Sequence, residues 1–322
     1  MLRNYEVMFG SKPKMYSAPM ENGDHPELDI SEFLEVDGIA QYQSLVGALQ
    51  WAITLGHFEL LAGIASMASF RVAPRVGHME RLKRMYGFIR RRPDAAIRFR
   101  TGIPNHERVK KPVEHDWTQS VYGKITEDLP SDMPIPKGKA VRITTYEDAN
   151  LMHCLLTGRS CTGNIHLLNQ TPVYWFLTKQ KSVETATYGS EFLAAKIATE
   201  QIMDLKYTIR MMGIPLDGPA WMFGDNQSMI TSGTIPYSSL NKRHNALAYH
   251  RVREAVASGV MYFMKVSGKT CLKPVLVSLF WLVCSYGHSA DVVRLAYHKT
   301  SVYSERETFL LLFRLIVVVA RG

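Results

Sequence analysis

One long amphipathic segment of the chain predicts a helix. Apolar residues recur along it every three or four positions, as they do on the buried face of a helix. These residues are Ala195, Ala198, Ile202, Leu205, Ile209 and Met212. Gly213 and Pro215 follow, and both residue types commonly end helices. The pattern also places Glu191 in the first turn, where the helix dipole favours a carboxylate.

Short apolar runs on both sides of this helix predict strands. Residues 162–169 (TGNIHLLN) and 171–179 (TPVYWFLTK) are separated by one residue and predict a hairpin. Upstream, the segment VRITTYEDAN predicts a strand that ends near Asp148. Downstream, residues 220–223 predict a buried strand that ends at Gly224 and Asp225. The order is therefore three strands, a helix and a strand, which indicates an α/β domain.

The remaining segments predict a helical region before this domain and more elements after its fourth strand. Residues 39–70 predict two helices joined near Gly56 and His57, whereas residues 1–35 predict an extended lead-in. The proline-containing residues 101–137 predict a linker. A short helix is expected at 227–234, a longer one at 240–259 and a last strand at 260–266.

Three acids lie at the ends of the predicted elements, namely Asp148, Glu191 and Asp225. Carboxylates that meet at one point repel each other, and a divalent cation offsets that repulsion. Ligand sets made of oxygen alone favour Mg²⁺ or Mn²⁺. Taken singly, each acid is also compatible with an ordinary surface position, and Asp225 followed by Asn226 is compatible with a simple turn.

The charge balance favours a polyanionic partner. Lys and Arg number 38 against 29 Asp and Glu, a formal net charge of +9. Two segments concentrate the positive charge, and the first also contains Tyr86, Phe88 and Phe99. The candidate nucleic-acid contacts are Arg81, Lys83, Arg84, Arg90, Arg91, Arg92, Lys242, Arg243, Arg251 and Arg253. The alternative is a solvated helix face with aromatic residues in the core.

Other chemistry is not indicated. The four cysteines have no metal-binding spacing, so the pattern predicts neither a zinc site nor a disulfide scaffold. His244 and His250, on the basic segment, are expected to be structural or to contact phosphate. The N-terminus has no signal-like apolar region, and the apolar runs at 275–284 and 309–320 are shorter than a membrane span. We therefore expect an intracellular protein, in a cytoplasmic particle or the nucleus, that is neither secreted nor membrane-bound.

Several ordered motifs resemble the C-terminal part of a copia-type retrotransposon polyprotein (Pol), from the end of reverse transcriptase through ribonuclease H. The resemblance runs from about residue 5 to residue 268. The polymerase-like part contains YQSLVGALQW and GHMERLKR. The ribonuclease H-like part contains YEDANLMHCLLTGRSCTGNIH, VETATYGSEFLAA, FGDNQS and NKRHNALAYHRVREAV.

The resemblance implies a ribonuclease H-like α/β fold, with a mixed five-stranded sheet and helices on both faces. It implies a helical, basic reverse transcriptase remnant at 1–100, the linker at 101–137, the ribonuclease H-like domain at 138–267 and a divergent tail at 268–322. Asp148, Glu191 and Asp225 match the first three acids of the catalytic cluster. The implied reaction is two-metal hydrolysis of the RNA strand of an RNA–DNA hybrid, using two Mg²⁺ or Mn²⁺ ions.

The chain also departs from this family. The Tyr-x-Asp-Asp motif of the polymerase is missing, so no polymerase site is expected, and the absent polymerase part is a candidate partner. Cys154 stands where the family often has an acid. The fourth catalytic Asp expected shortly after Gly268 is missing, and Asp291 lies too far downstream to replace it. The tail fits a shifted reading frame or an unrelated joined segment. The alternative function is a degenerate nucleic-acid-binding relic without turnover.

Overall fold

The computed structural model describes residues 1–92, 97, 99–104, 113–240 and 243–265. Helices α1 to α4 occupy the N-terminal part, and five strands with α5 to α7 follow. The helices are α1 Leu2–Phe9, α2 Val36–Thr54, α3 Leu61–Ala68, α4 Val76–Arg91, α5 Thr187–Met211, α6 Gln227–Thr234 and α7 Ala246–Ala257. The strands are β1 Ile143–Asn150, β2 Cys161–Leu168, β3 Thr171–Lys179, β4 Ala220–Gly224 and β5 Met261–Lys265. Lys242, Arg98 and the predicted tail at 268–322 lie outside the described residues.

The five strands form one mixed sheet in the order β3-β2-β1-β4-β5. Strands β1, β2 and β3 pair antiparallel, whereas β4 is parallel to both β1 and β5. The predicted hairpin of β2 and β3 is confirmed. Helix α5 carries the chain from β3 back to β4 beside β1, and this crossover makes the parallel pair possible.

Helices cover both faces of the sheet. On one face, apolar residues of α5, α6 and α7 pack on β1, β4 and β5 in a core that includes Phe192, Ile202, Met222 and Val252. On the other face, Phe58 from the N-terminal part packs with residues of four strands. The predicted α/β fold is therefore confirmed.

Helix α5 shows why the periodicity was informative. Ala195, Ala198, Ile202 and Ile209 are all fully or almost fully buried against the sheet. The helix ends at Met211, and Gly213 follows with a φ of 70°, in the left-handed region that glycine tolerates best. The start of the helix lies at Thr187, so Glu191 lies beyond the first turn rather than in it.

The lead-in contains a helix that the sequence pattern did not predict. Helix α1 packs through Tyr5, which is buried against Tyr86 of α4 with ring centroids 5.1 Å apart. Residues of α1, α2, α3 and α4 form a separate apolar core. Two helices joined near Gly56 were expected at 39–70, and α2 and α3 confirm them.

Residues 113–137, here called the connecting segment, lie against the helical face of the sheet domain. Trp117 is buried, and Glu127 contacts α5 through both its carboxylate oxygens. The Lys137 N–H donates to the Gly213 carbonyl at 2.8 Å. These residues were expected to belong to a plain linker at 101–137, but they pack on the domain.

Candidate metal centre

The pairing of β1 with β4 brings two of the predicted acids together. Tyr146 is the register partner of Phe223 in this parallel pair. Asp148 and Asp225 each lie two residues beyond these partners, so they leave the same edge of the sheet in similar directions. Asp148 is partly buried near the end of β1, and Asp225 is exposed just after β4.

Glu191 completes the group from α5. One carboxylate oxygen from each of Asp148, Glu191 and Asp225 lies within 4.8 Å of the others. Glu191 is 5% exposed, and its Oε2 atom has no hydrogen-bond partner in the described part of the chain. A buried carboxylate oxygen without a donor fits a cation ligand. The three predicted acids therefore meet at one point, with the oxygen donors that hard divalent cations prefer.

Burial and mutual repulsion perturb these acids. Burial is the main cause that raises the pKa of Asp148, to about 7, and the charge of Asp225 raises it further. Burial also raises the pKa of Glu191, followed by the charges of Glu147, Asp148 and Asp225. Both carboxyls thus lose their protons less readily than in water, and a bound cation would favour the ionised forms.

The turn after β4 leaves Asp225 available. Asn226 caps α6, because its Oδ1 accepts a hydrogen bond from the Met229 N–H at 3.1 Å. The alternative interpretation assigned Asp225 and Asn226 to a simple turn. Asn226 alone supplies that turn chemistry. The carboxylate of Asp225 faces the other two acids instead.

The sequence prediction missed Glu147, which is 1% exposed in the middle of the sheet. Burial raises its pKa well above the ordinary value, and Asp148 and Asp225 add to the effect. Its position beside Asp148 was visible, and alternation along β1 places it on the inner face. A glutamate at a core position of a strand is uncommon, and that was the signal that could have identified it.

The basic residues of α4 are mostly engaged within the chain. Arg81 binds Asp24 at 2.7 Å and Asp29 at 2.5 Å. Lys83 and Arg84 pair with Glu80 and Glu21, each at 2.7 Å. Burial opposes ionisation of Asp29, but hydrogen bonds from Ser31 and Arg81 outweigh it and lower its pKa to about 2.

The end of α4 is more open. Arg90 donates to the Pro13 carbonyl at 2.7 Å, and Arg92 lies over the Phe88 ring. Arg91 is exposed and has no ion pair among the described residues. Of the three arginines at residues 90–92, Arg91 is the exposed one.

The second basic segment divides in the same way. Arg243 is exposed, and Arg251 pairs with Glu254 at 3.2 Å. His244 and His250 are exposed; the first pairs with Glu184 and the second with the Tyr122 hydroxyl.

Arg253 corrects the sequence prediction. It is 3% exposed, and its guanidinium donates to the Ser232, Ile235 and Pro236 carbonyls. The rings of Trp117, Tyr122 and Tyr249 surround it. We therefore exclude Arg253 from the candidate nucleic-acid contacts, because its charge is used inside the domain.

Among the described residues, no helix combines the length and apolar character needed to cross a bilayer. The two apolar runs singled out near the C-terminus lie outside that part of the chain.

Sequence comparisons link the chain to transposon proteins. It is 22% identical over 242 residues to a retrovirus-related Pol polyprotein from transposon RE1 of Arabidopsis thaliana, covering 75% of this chain and 14% of the relative. It is also 22% identical over 260 residues to the corresponding RE2 polyprotein, covering 81% of this chain and 15% of the relative. No family model matches the chain. The predicted resemblance to a retrotransposon Pol fragment is confirmed at this level, and the chain spans about one seventh of these relatives.

Solved structures show weaker similarity. A ribonuclease H1 from Halobacterium salinarum NRC-1 is 15% identical with a TM-score of 0.30, covering 39% of this chain and 86% of that one. LC11 ribonuclease H1 in complex with an RNA/DNA hybrid is 10% identical with a TM-score of 0.32, covering 40% and 87%. The sheet order and the helices that cover both faces define the fold without these structures.

Proposed function

We propose that this chain is the ribonuclease H part of a copia-type retrotransposon polyprotein and cleaves the RNA strand of an RNA–DNA hybrid. The observation that carries the proposal is the meeting of Asp148, Glu191 and Asp225 within 4.8 Å. These acids are supplied by β1, α5 and the end of β4, the elements on which the sequence motifs placed them. The similarity to retrotransposon polyproteins supports the same assignment.

The site residues fit a pair of Mg²⁺ or Mn²⁺ ions, since all three donors are carboxylates and Glu191 Oε2 lacks a protein partner. When bound, such ions activate water as a nucleophile and stabilise charge at the scissile phosphate. Asp148, Glu191 and Asp225 would hold such ions at the end of the sheet where β1 and β4 lie side by side. Asp225 is exposed and lies on the side open to a substrate phosphate, whereas Glu191 anchors the group from the interior.

The basic residues suit the backbone of the hybrid. Arg91 and Arg243 are exposed and supply charge without base recognition. Hybrid preference would then come from duplex shape and 2′-hydroxyl contacts, with little dependence on sequence.

The decisive experiment is cleavage of an end-labelled RNA–DNA hybrid with Mg²⁺, with Mn²⁺ and with EDTA. We expect metal-dependent cleavage of the RNA strand, faster with Mn²⁺ and abolished by Asp148→Asn. An Asp128→Asn variant is a matched control, because this aspartate lies in the connecting segment. Cleavage that does not exceed that of Asp148→Asn with either metal would reject the enzyme.

One observation favours the second candidate, a binding relic without turnover. Residues 269–290 contain no Asp or Glu, so the sequence supplies no fourth acid soon after Gly268. If the relic interpretation is correct, the chain binds the hybrid with the salt dependence of phosphate contacts but leaves the RNA intact.

A further inference from the structure

A fourth buried carboxylate, that of Glu147, neighbours Asp148 on β1, outside the group of three whose oxygens lie within 4.8 Å of one another. Glu147 is 1% exposed, and neither Oε1 nor Oε2 has a hydrogen-bond partner in the described part of the chain. Buried carboxylates in proteins are paired with cations or hydrogen-bond donors, because desolvation of an unpaired charge is strongly unfavourable. Glu147 is therefore either held in its neutral form by burial or neutralised by a partner from outside the described chain.

The sheet register places Glu147 beside the end of β4. Continuing the parallel pair from Tyr146 and Phe223, Glu147 lies beside Gly224, the residue that precedes Asp225. A Cβ atom at Gly224 would lie 2.3 Å from Glu147 Oε1. The Glu147 carboxylate thus occupies the space that a Cβ atom at position 224 would need. Gly224 leaves this space open because it has no side chain.

The strand on the other side of β1 offers Glu147 no hydrogen bond. Across the strand pair, Glu147 is opposite Asn164, whose side-chain amide donates to Gln201 rather than to Glu147. Among the described residues, Glu147 therefore receives no hydrogen bond from either neighbouring strand.

We propose that Glu147 is a fourth metal-binding carboxylate, which holds the second divalent ion from the interior of the sheet. The inference rests on the proposed function, because it assigns a ligand to the same centre. It also accounts for the missing Asp after Gly268: together with Asp148, Glu191 and Asp225, Glu147 supplies four negative charges, which two divalent cations neutralise.

The test is calorimetric titration of the full chain with Mn²⁺ alone, without nucleic acid. The unmodified protein is expected to bind two ions. Glu147→Gln, which keeps the shape and removes the charge, is expected to bind one ion, or the second at least ten-fold more weakly. Glu59→Gln is the matched control, because Glu59 is a buried glutamate with an unpaired oxygen in the N-terminal region. Its titration should match that of the unmodified protein.

A second variant reaches the same carboxylate by another route. Gly224→Ala should displace Glu147 and weaken the second ion in the same way, whereas Glu147→Asp, with a shorter carboxylate, should retain two ions at reduced affinity. Thermal unfolding in EDTA checks that each variant is folded. If Glu147→Gln is not folded, Glu147→Asp replaces it in the titration.

The outcomes separate the two proposals. The role of Glu147 is overturned if Glu147→Gln binds two ions with unchanged affinity, or if Glu147→Asp does so where that variant is used instead. This result would leave the proposed function intact. No Mn²⁺ bound by the unmodified protein would overturn both.

Discussion

The buried ammonium of Lys206 on α5 donates to Glu127 of the connecting segment at 2.8 Å, and its side chain is 2% exposed. The same ammonium donates to the Val260 carbonyl, and Arg210 binds both carboxylate oxygens of Glu127. Burial opposes the ionisation of Glu127, but hydrogen bonds from Arg210 and Lys206 outweigh it and lower its pKa. One carboxylate thus serves two cations, one of them almost without access to water.

Glu127→Gln should therefore destabilise the protein by about 3 kcal/mol, because it leaves the Lys206 charge buried without a counter-ion. Urea denaturation at pH 7 gives the free energy of unfolding. The double variant with Lys206→Met should recover part of the loss, since the buried charge is then absent. A loss below about 1 kcal/mol in the single variant would show that water replaces the carboxylate.

His166 predicts a pH dependence of stability. It is fully buried between Thr145 and Gln201, and burial lowers its pKa to about 4. The unfolded chain binds a proton below its usual pKa of about 6.5, whereas the folded protein does so only near 4. The stability contributed by neutral His166 is thus present above pH 6.5 and is lost as the pH falls towards 4.

His166→Gln should remove this component of the acid sensitivity. Between pH 7 and pH 4 the free energy of unfolding should fall by roughly 3 kcal/mol more in the unmodified protein than in the variant. Urea titrations at a series of pH values measure the difference. If the free energy of unfolding has the same pH dependence in both proteins, protonation of His166 does not destabilise the folded state.

The salt dependence of hybrid binding tests the basic surface. Replacing Arg90, Arg91 and Arg92 with Ala should reduce the slope of log K against log[salt] by about 0.9 or more, because the exposed Arg91 accounts for one phosphate contact. Binding is measured in EDTA, so that cleavage does not interfere. An unchanged slope would assign residues 90–92 to a solvated face.

Arg81→Ala is the matched control for that experiment. Arg81 lies on the same helix but is engaged by Asp24 and Asp29, so its loss should lower stability and leave the salt slope unchanged. A slope that falls with Arg81→Ala would show that these ion pairs open on binding.

The sequence was most informative where local pattern and tertiary structure agree. Helix α5 followed from its apolar period and from Gly213, and the hairpin of β2 and β3 followed from two short runs with a one-residue gap. Asp148 and Asp225 were singled out because each follows a strand-like run. Their meeting depends on the parallel pairing of β1 with β4, which strand patterns do not specify and the family resemblance supplied.

Features that depend on distant contacts were missed. The eight residues of α1 are too few for a clear period, and Tyr5 is buried only through its packing on other helices. Arg253 was expected on the surface because its local sequence is basic. Its aromatic and carbonyl partners come from Trp117, Tyr122 and the turn after α6, far away along the chain.

The contacts of the connecting segment set the practical boundary of the sheet domain. The motifs alone suggest that a fragment beginning at residue 138 would suffice. Such a fragment would lack Glu127, Trp117 and Tyr122, so Lys206 would lose its counter-ion and Arg253 would lose two of the aromatic rings that cover it. A fragment that retains these contacts therefore has to include residues 113–137, and a protease that cuts within them would weaken the sheet domain rather than release it intact.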